Sequence, residues 1–207
     1  MEKAEKLLRY REANKTARKG QIVFAGSSLM EMFPVEKLLR ERGIDATVYN
    51  RGIGGYVTRE MLDNLDVCVT DLQPRRVFIN IGTNDLSDAS VTIDALIARY
   101  DHILTLIEQA VPGVRIYLMA YYPVNYEAAA ETMKPNLRIR TNERINEANR
   151  AVEQLAARHG QRYIDVNLPL KDEQGRLKAE YTIEGMHLKP EGYRAIFPAV
   201  AAYIMEA

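Results

Sequence analysis

Residues 21–29 read QIVFAGSSL, a short apolar run that stops at a glycine and two serines. A run of this length, bounded by a turn signal, has the character of a strand buried on both faces, as strands are in parallel sheets. The pattern recurs as ATVYN at 46–50, RVFINI at 76–81, VRIYLMA at 114–120 and RYIDV at 162–166. Between these runs, residues 58–72, 91–110 and 137–159 place apolar side chains three and four apart, which predicts helices with one buried stripe. Residues 2–17 and 190–205 read as terminal helices, the second interrupted at Pro198, which cannot donate to the preceding turn. Strands alternating with helices predict an α/β fold: a three-layer sandwich with a five-stranded parallel sheet and helices on both faces.

At 207 residues and 47% hydrophobic content the chain suits one sizeable core, so a single domain over 1–207 is expected, with residues 1–19 a helical extension packed on it. Lys plus Arg and Asp plus Glu both number 28, so no global field favours nucleic acid or an acidic membrane. The sole cysteine, Cys68, rules out an intrachain disulfide and suits a small core position. The opening stretch is charged, and no run approaches the roughly 18 apolar residues of a membrane span. A cytoplasmic location without stable membrane insertion is expected; oligomeric state is not legible. The first twenty residues hold seven Lys or Arg against three Glu, which reads as a solvated helix face.

In an open parallel sheet, ligands collect beyond the carboxyl ends of the strands. Three successive strands end there on polar or glycine-rich elements. After the first comes Gly26-Ser27-Ser28-Leu29, where a hydroxyl would sit near the positive end of a helix. After the second comes Asn50-Arg51-Gly52-Ile53-Gly54-Gly55, which leaves backbone N–H groups open to an oxyanion. After the third comes Gly82-Thr83-Asn84-Asp85, with a side-chain amide free to aim into the same crevice. Near the C-terminus Glu184 precedes His187 by three residues, so a carboxylate and an imidazole can face one pocket. Taken singly, each element is a helix cap, a tight turn or a solvated loop residue; their convergence on one edge favours an active site.

These four blocks, in this order, resemble the SGNH hydrolases, the GDSL-like lipases and acylhydrolases. The resemblance runs from Val23 to Tyr193, with Ser27 standing where the family usually has Asp and Glu184 where its last block usually has Asp. It implies a flavodoxin-like fold and a serine esterase in which Ser28 is the nucleophile, His187 the base and Glu184 the orienting acid. Ser28, Gly55 and Asn84 would form the oxyanion hole, and the pair Gly192-Tyr193 completes the last block. Asp165, at a strand's end, is the competing acid. A small-molecule ester is the implied substrate, with acetyl on a polar alcohol such as a carbohydrate favoured because the loops 121–136 and 167–181 hold no long apolar lid. Lysophospholipase-like, thioesterase and acyltransferase activities, and a non-catalytic carbohydrate- or lipid-binding module, are the alternatives.

No cofactor and no metal are implied. His102 and His159 read as solvated helix residues, and Asp85 with Asp88 falls short of a hard-ion ligand set. Tyr121, Tyr122 and Tyr126 read as core and rim.

Overall fold

The computed structural model describes residues 2–206, so residues 1 and 207, the ends of the expected domain, lie outside the described residues. Helix α1 (Lys3–Thr16) leads into strand β1 (Ile22–Gly26), followed by α2 (Ser28–Glu31), α3 (Val35–Glu41) and β2 (Val48–Asn50). Then come α4 (Thr58–Asp63), α5 (Leu65–Cys68), β3 (Arg76–Asn80), α6 (Ile93–Ala110) and β4 (Arg115–Met119). The chain ends with α7 (Lys134–Ile139), α8 (Asn142–Arg158), β5 (Arg162–Ile164) and α9 (Pro190–Ile204).

All five expected strands form, and they pair in parallel in the order β2-β1-β3-β4-β5. The order reverses direction at β1, which opens a crevice between β1 and β3 at their carboxyl ends. Alternation along each strand sends side chains to opposite faces. Val23, Ala25, Val77, Ile79, Ile116 and Leu118 pack with α4, α5, α6 and α8. Ile22, Phe24, Phe78, Tyr117, Met119 and Ile164 pack with α2, α3 and α9. The three layers follow directly from strands apolar on both faces.

Several helix boundaries depart from expectation, each for a local reason. The 58–72 segment is broken at Asn64, whose side-chain amide donates back to Glu60 O at 2.9 Å. The 137–159 segment divides at Arg140 and restarts at Thr141, whose hydroxyl accepts the Arg144 N–H. Helix α3 lies where no helix was expected. Conversely, α9 runs unbroken through Pro198: Tyr193, Ile196, Phe197, Val200 and Ala201 bury one of its faces, and that packing outweighs the missing hydrogen bond.

Cys68 is buried, and burial pushes its thiol up to about 12, as an inert core residue requires. Tyr121 and Tyr122 are core residues, while Tyr126 is exposed. His159 is not solvated as expected: it lies between Glu108 (2.9 Å) and Asp101 (3.1 Å) and joins the end of α8 to α6. No helix among the described residues is long and apolar enough to cross a membrane.

Candidate active site

The chain passes from β1 into α2 with only Ser27 between them, so Ser28 opens the helix at the carboxyl edge of the sheet. Gly26 permits this turn, because a Cβ there would stand 2.2 Å from Asn80 O and 2.6 Å from Met30 Cγ. Ser27 is buried, and its hydroxyl has no partner among the described residues. The Ser28 side chain remains partly exposed, and its Oγ lies 2.8 Å from His187 Nε2.

His187 sits on a turn closed by Ile183 N–H and the Thr182 hydroxyl, both donating to His187 O (2.9 and 3.1 Å). Glu184 Oε1 accepts from His187 Nδ1 at 2.5 Å and from His187 N–H at 3.2 Å. That carboxylate assigns the ring proton to Nδ1 and leaves Nε2 free to accept from Ser28. The loop after β4 braces the turn, with Asn125 N–H donating to Gly185 O (2.8 Å) and Ala130 N–H to Glu184 O (3.3 Å). Gly185 has φ +99°, and a Cβ on it would meet Asn125 O at 2.7 Å, so only glycine fits. Asp165 is elsewhere: its Oδ1 accepts the Asn167 N–H at 2.9 Å, and Lys171 lies 3.9 Å from its Oδ2.

The glycine run beyond β2 extends the sheet pairing, with Arg51 N–H donating to Phe24 O and Ile53 N–H to Gly26 O. Asn50 ties this run to α2, accepting from Gly52 N–H and donating to Met30 O at 2.6 Å. Gly52 lies so close to α2 that a Cβ would stand 2.2 Å from Glu31 N. The Gly54 N–H is taken by Glu31 Oε2 at 2.6 Å. The next amide, that of Gly55, has no protein acceptor among the described residues, and Gly55 is held at φ +75°.

Asn84 enters from the loop after β3. One of its amide hydrogens goes to Tyr56 O (2.9 Å), and its Oδ1 accepts from Arg140 Nη2 (2.8 Å), which leaves the second amide hydrogen for the crevice. Arg140 was not singled out in the sequence. It is buried, donates also to Ser87 Oγ (2.8 Å) and Met186 Sδ, and burial pulls its guanidinium down to about 10 against the support of Asp85. The only signal for it was an arginine immediately before a helix cap. Asp85 itself is a structural acceptor for Thr58 N–H, Thr58 Oγ1 and Arg99. Asp88 caps its own turn through Ser90.

Ser28, His187 and Glu184 therefore form a continuous hydrogen-bonded series from hydroxyl to imidazole to carboxylate. Such a series can deprotonate a hydroxyl as it attacks a carbonyl and hold the resulting imidazolium.

The sequence profile of the GDSL-like Lipase/Acylhydrolase family matches residues 33–195. A solved Streptococcus pneumonia protein, whose name refers to platelet activating factor, is 32% identical with a TM-score of 0.87, over 98% of this chain and 92% of that one. A variant of an acetylxylan esterase from Geobacillus stearothermophilus is 18% identical with a TM-score of 0.69, over 93% and 97% of the two chains. The bovine (Bos taurus) platelet-activating factor acetylhydrolase IB subunit alpha1 is 23% identical over 186 residues, 89% of this chain and 75% of that protein.

Proposed function

The chain belongs to the GDSL-like lipase/acylhydrolase family and is a carboxylic ester hydrolase; on that premise we propose that it works through an acyl-enzyme on Ser28. The observation that carries this reading is the 2.8 Å contact between Ser28 Oγ and His187 Nε2, continued at Nδ1 to Glu184. His187 takes the Oγ proton as Oγ attacks the ester carbonyl, then returns it to the leaving alcohol. Water, activated by the same nitrogen, releases the acid. Glu184 keeps the imidazole in one tautomer and faces its positive charge without taking the proton. The backbone N–H groups of Ser28 and Gly55 and the free amide hydrogen of Asn84 receive the oxyanion. Loss of one such donor typically costs about 10² to 10³ in kcat.

For the substrate we infer a short acyl group, acetyl above all, on a polar alcohol such as a carbohydrate. The loops after β4 and β5 support this, because neither 121–136 nor 167–181 carries a long apolar run of the kind that forms a lipid-binding lid. The name of the bovine relative also specifies acetyl removal. The neutral composition and lone buried thiol suit a cytoplasmic location. The test is a p-nitrophenyl ester series from acetate to palmitate, with fluorophosphonate labelling of Ser28 and Ser28→Ala as the blank. Activity highest on acetate and labelling lost in Ser28→Ala are expected. A preference for long chains would overturn the substrate, and absence of both turnover and labelling would overturn the mechanism in favour of a binding module.

A further inference from the structure

Helix α1 lies outside the residues matched by the family profile. It reads in sequence as a solvated basic helix, yet one of its faces is committed to the glycine run. Lys3, Lys6, Tyr10 and Asn14 are three, four and four apart, which aligns them along one stripe. Lys3 Nζ donates to Gly55 O (2.9 Å) and pairs with Glu60 (2.8 Å), whose carboxylate accepts the Val57 N–H (3.0 Å). Lys6 pairs with Glu31, the residue that accepts the Gly54 N–H. Tyr10 OH donates to Gly52 O (2.9 Å), and its ring lies under the Arg51 guanidinium at 4.9 Å. Buried Asn14 accepts from Arg51 Nε (3.0 Å) and donates to Val67 O (2.9 Å). Four side chains of one helix face thus hold Arg51, Gly52 and Gly55 directly and Gly54 through Glu31.

The Lys6 contact bears most directly on chemistry. Glu31 ends the helix that Ser28 begins, and a Cβ at Gly54 would lie 3.0 Å from Glu31 Oε2 and 3.9 Å from both Ser28 Cβ and Lys6 Nζ. A carboxylate this near an oxyanion site opposes the charge that develops there unless a cation balances it. We propose that α1 is a positioning element for the oxyanion glycine run, and that Lys6 acts through Glu31, holding the Gly54 amide in place and cancelling the carboxylate's field beside Ser28. The proposal rests on the esterase reading above, but its geometry does not.

Lys6→Met should lower kcat about tenfold on p-nitrophenyl acetate with KM little changed. Adding Glu31→Gln removes the unbalanced charge and keeps an acceptor for Gly54, so Lys6→Met/Glu31→Gln should recover to within about threefold of the parent. Lys15→Met, on the exposed face where Lys15 pairs with Glu12, should leave turnover unchanged. Amide hydrogen exchange of the ester-free protein reads the positioning without catalysis: segment 51–57 should exchange faster in Lys6→Met, with the β3 and β4 peptides unaltered. Unchanged exchange at 51–57, an undiminished kcat in Lys6→Met, or a double variant as slow as the single would each overturn the proposal. A parent protein that hydrolyses no ester would instead sink the esterase reading, while hydrogen exchange would still decide the role of α1.

Discussion

Replacing Glu184 by Gln separates the two services its carboxylate gives the imidazole, a fixed tautomer and an opposing charge. In the native chain Oε1 receives both hydrogen bonds from His187, while Oε2 is buried without a partner among the described residues. If Gln keeps its oxygen toward the ring, its NH2 must occupy the Oε2 position unpaired, at a cost of about 1–3 kcal/mol. Turned the other way, the NH2 donates to Nδ1, which drives the ring proton to Nε2 and removes the acceptor Ser28 requires. Either placement loses the charge facing the imidazolium. The expected loss in kcat is on the order of 10³-fold or more, read by steady-state hydrolysis of p-nitrophenyl acetate against a Ser28→Ala blank. Asp165→Asn is the internal comparison, and should stay within about twofold because Asp165 only caps its own turn beside Lys171. A Glu184→Gln enzyme retaining a fifth of native kcat, or an Asp165→Asn enzyme without activity, would refute the assignment.

Arg140→Met keeps the volume of the buried side chain but frees Asn84 Oδ1, so kcat should fall by about 10- to 100-fold with KM little changed; unaltered kcat would show that Tyr56 O alone orients Asn84. Gly52→Ala drives a methyl into the backbone of α2, and should cost about 1–3 kcal/mol or more in urea unfolding together with most of the activity. Burial opposes protonation of His159, yet its hydrogen bonds to Glu108 and Asp101 outweigh burial and raise its pKa. A raised folded-state value stabilises the fold fully below about pH 6.5 and loses that contribution as pH climbs through the folded pKa. His159→Gln should therefore lower Tm more at pH 5.5 than at pH 9, and an equal drop at both would remove the ion pairs as the cause.

The sheet was legible because its strands are apolar on both faces and each ends on an abrupt polar or glycine signal, as QIVFA does at Gly26-Ser27-Ser28. The site followed from those same ends, since a parallel sheet places them on one edge. What escaped the sequence is polar docking. Helix α1 is anchored largely through Lys3, Lys6, Tyr10 and Asn14, with Leu7 and the Tyr10 ring packed on the core but too few apolar positions for a helical stripe, so hydrophobic periodicity gave little sign that it was anchored. Arg140 escaped for the related reason that charged residues are seldom buried unless paired, and its partners Asn84, Ser87 and Met186 are distant in the chain. Pro198 misled in the opposite sense, because a local rule was overridden by packing against the sheet.

The two halves of the site differ in when a growing chain can build them. The contacts by which α1 holds the glycine run all lie within the first 67 residues, whereas the partner of Ser28 lies 159 positions further along. On the proposed mechanism, a chain that ends before residue 187 lacks the base for Ser28, so hydrolytic competence requires the 182–188 turn to be made and docked.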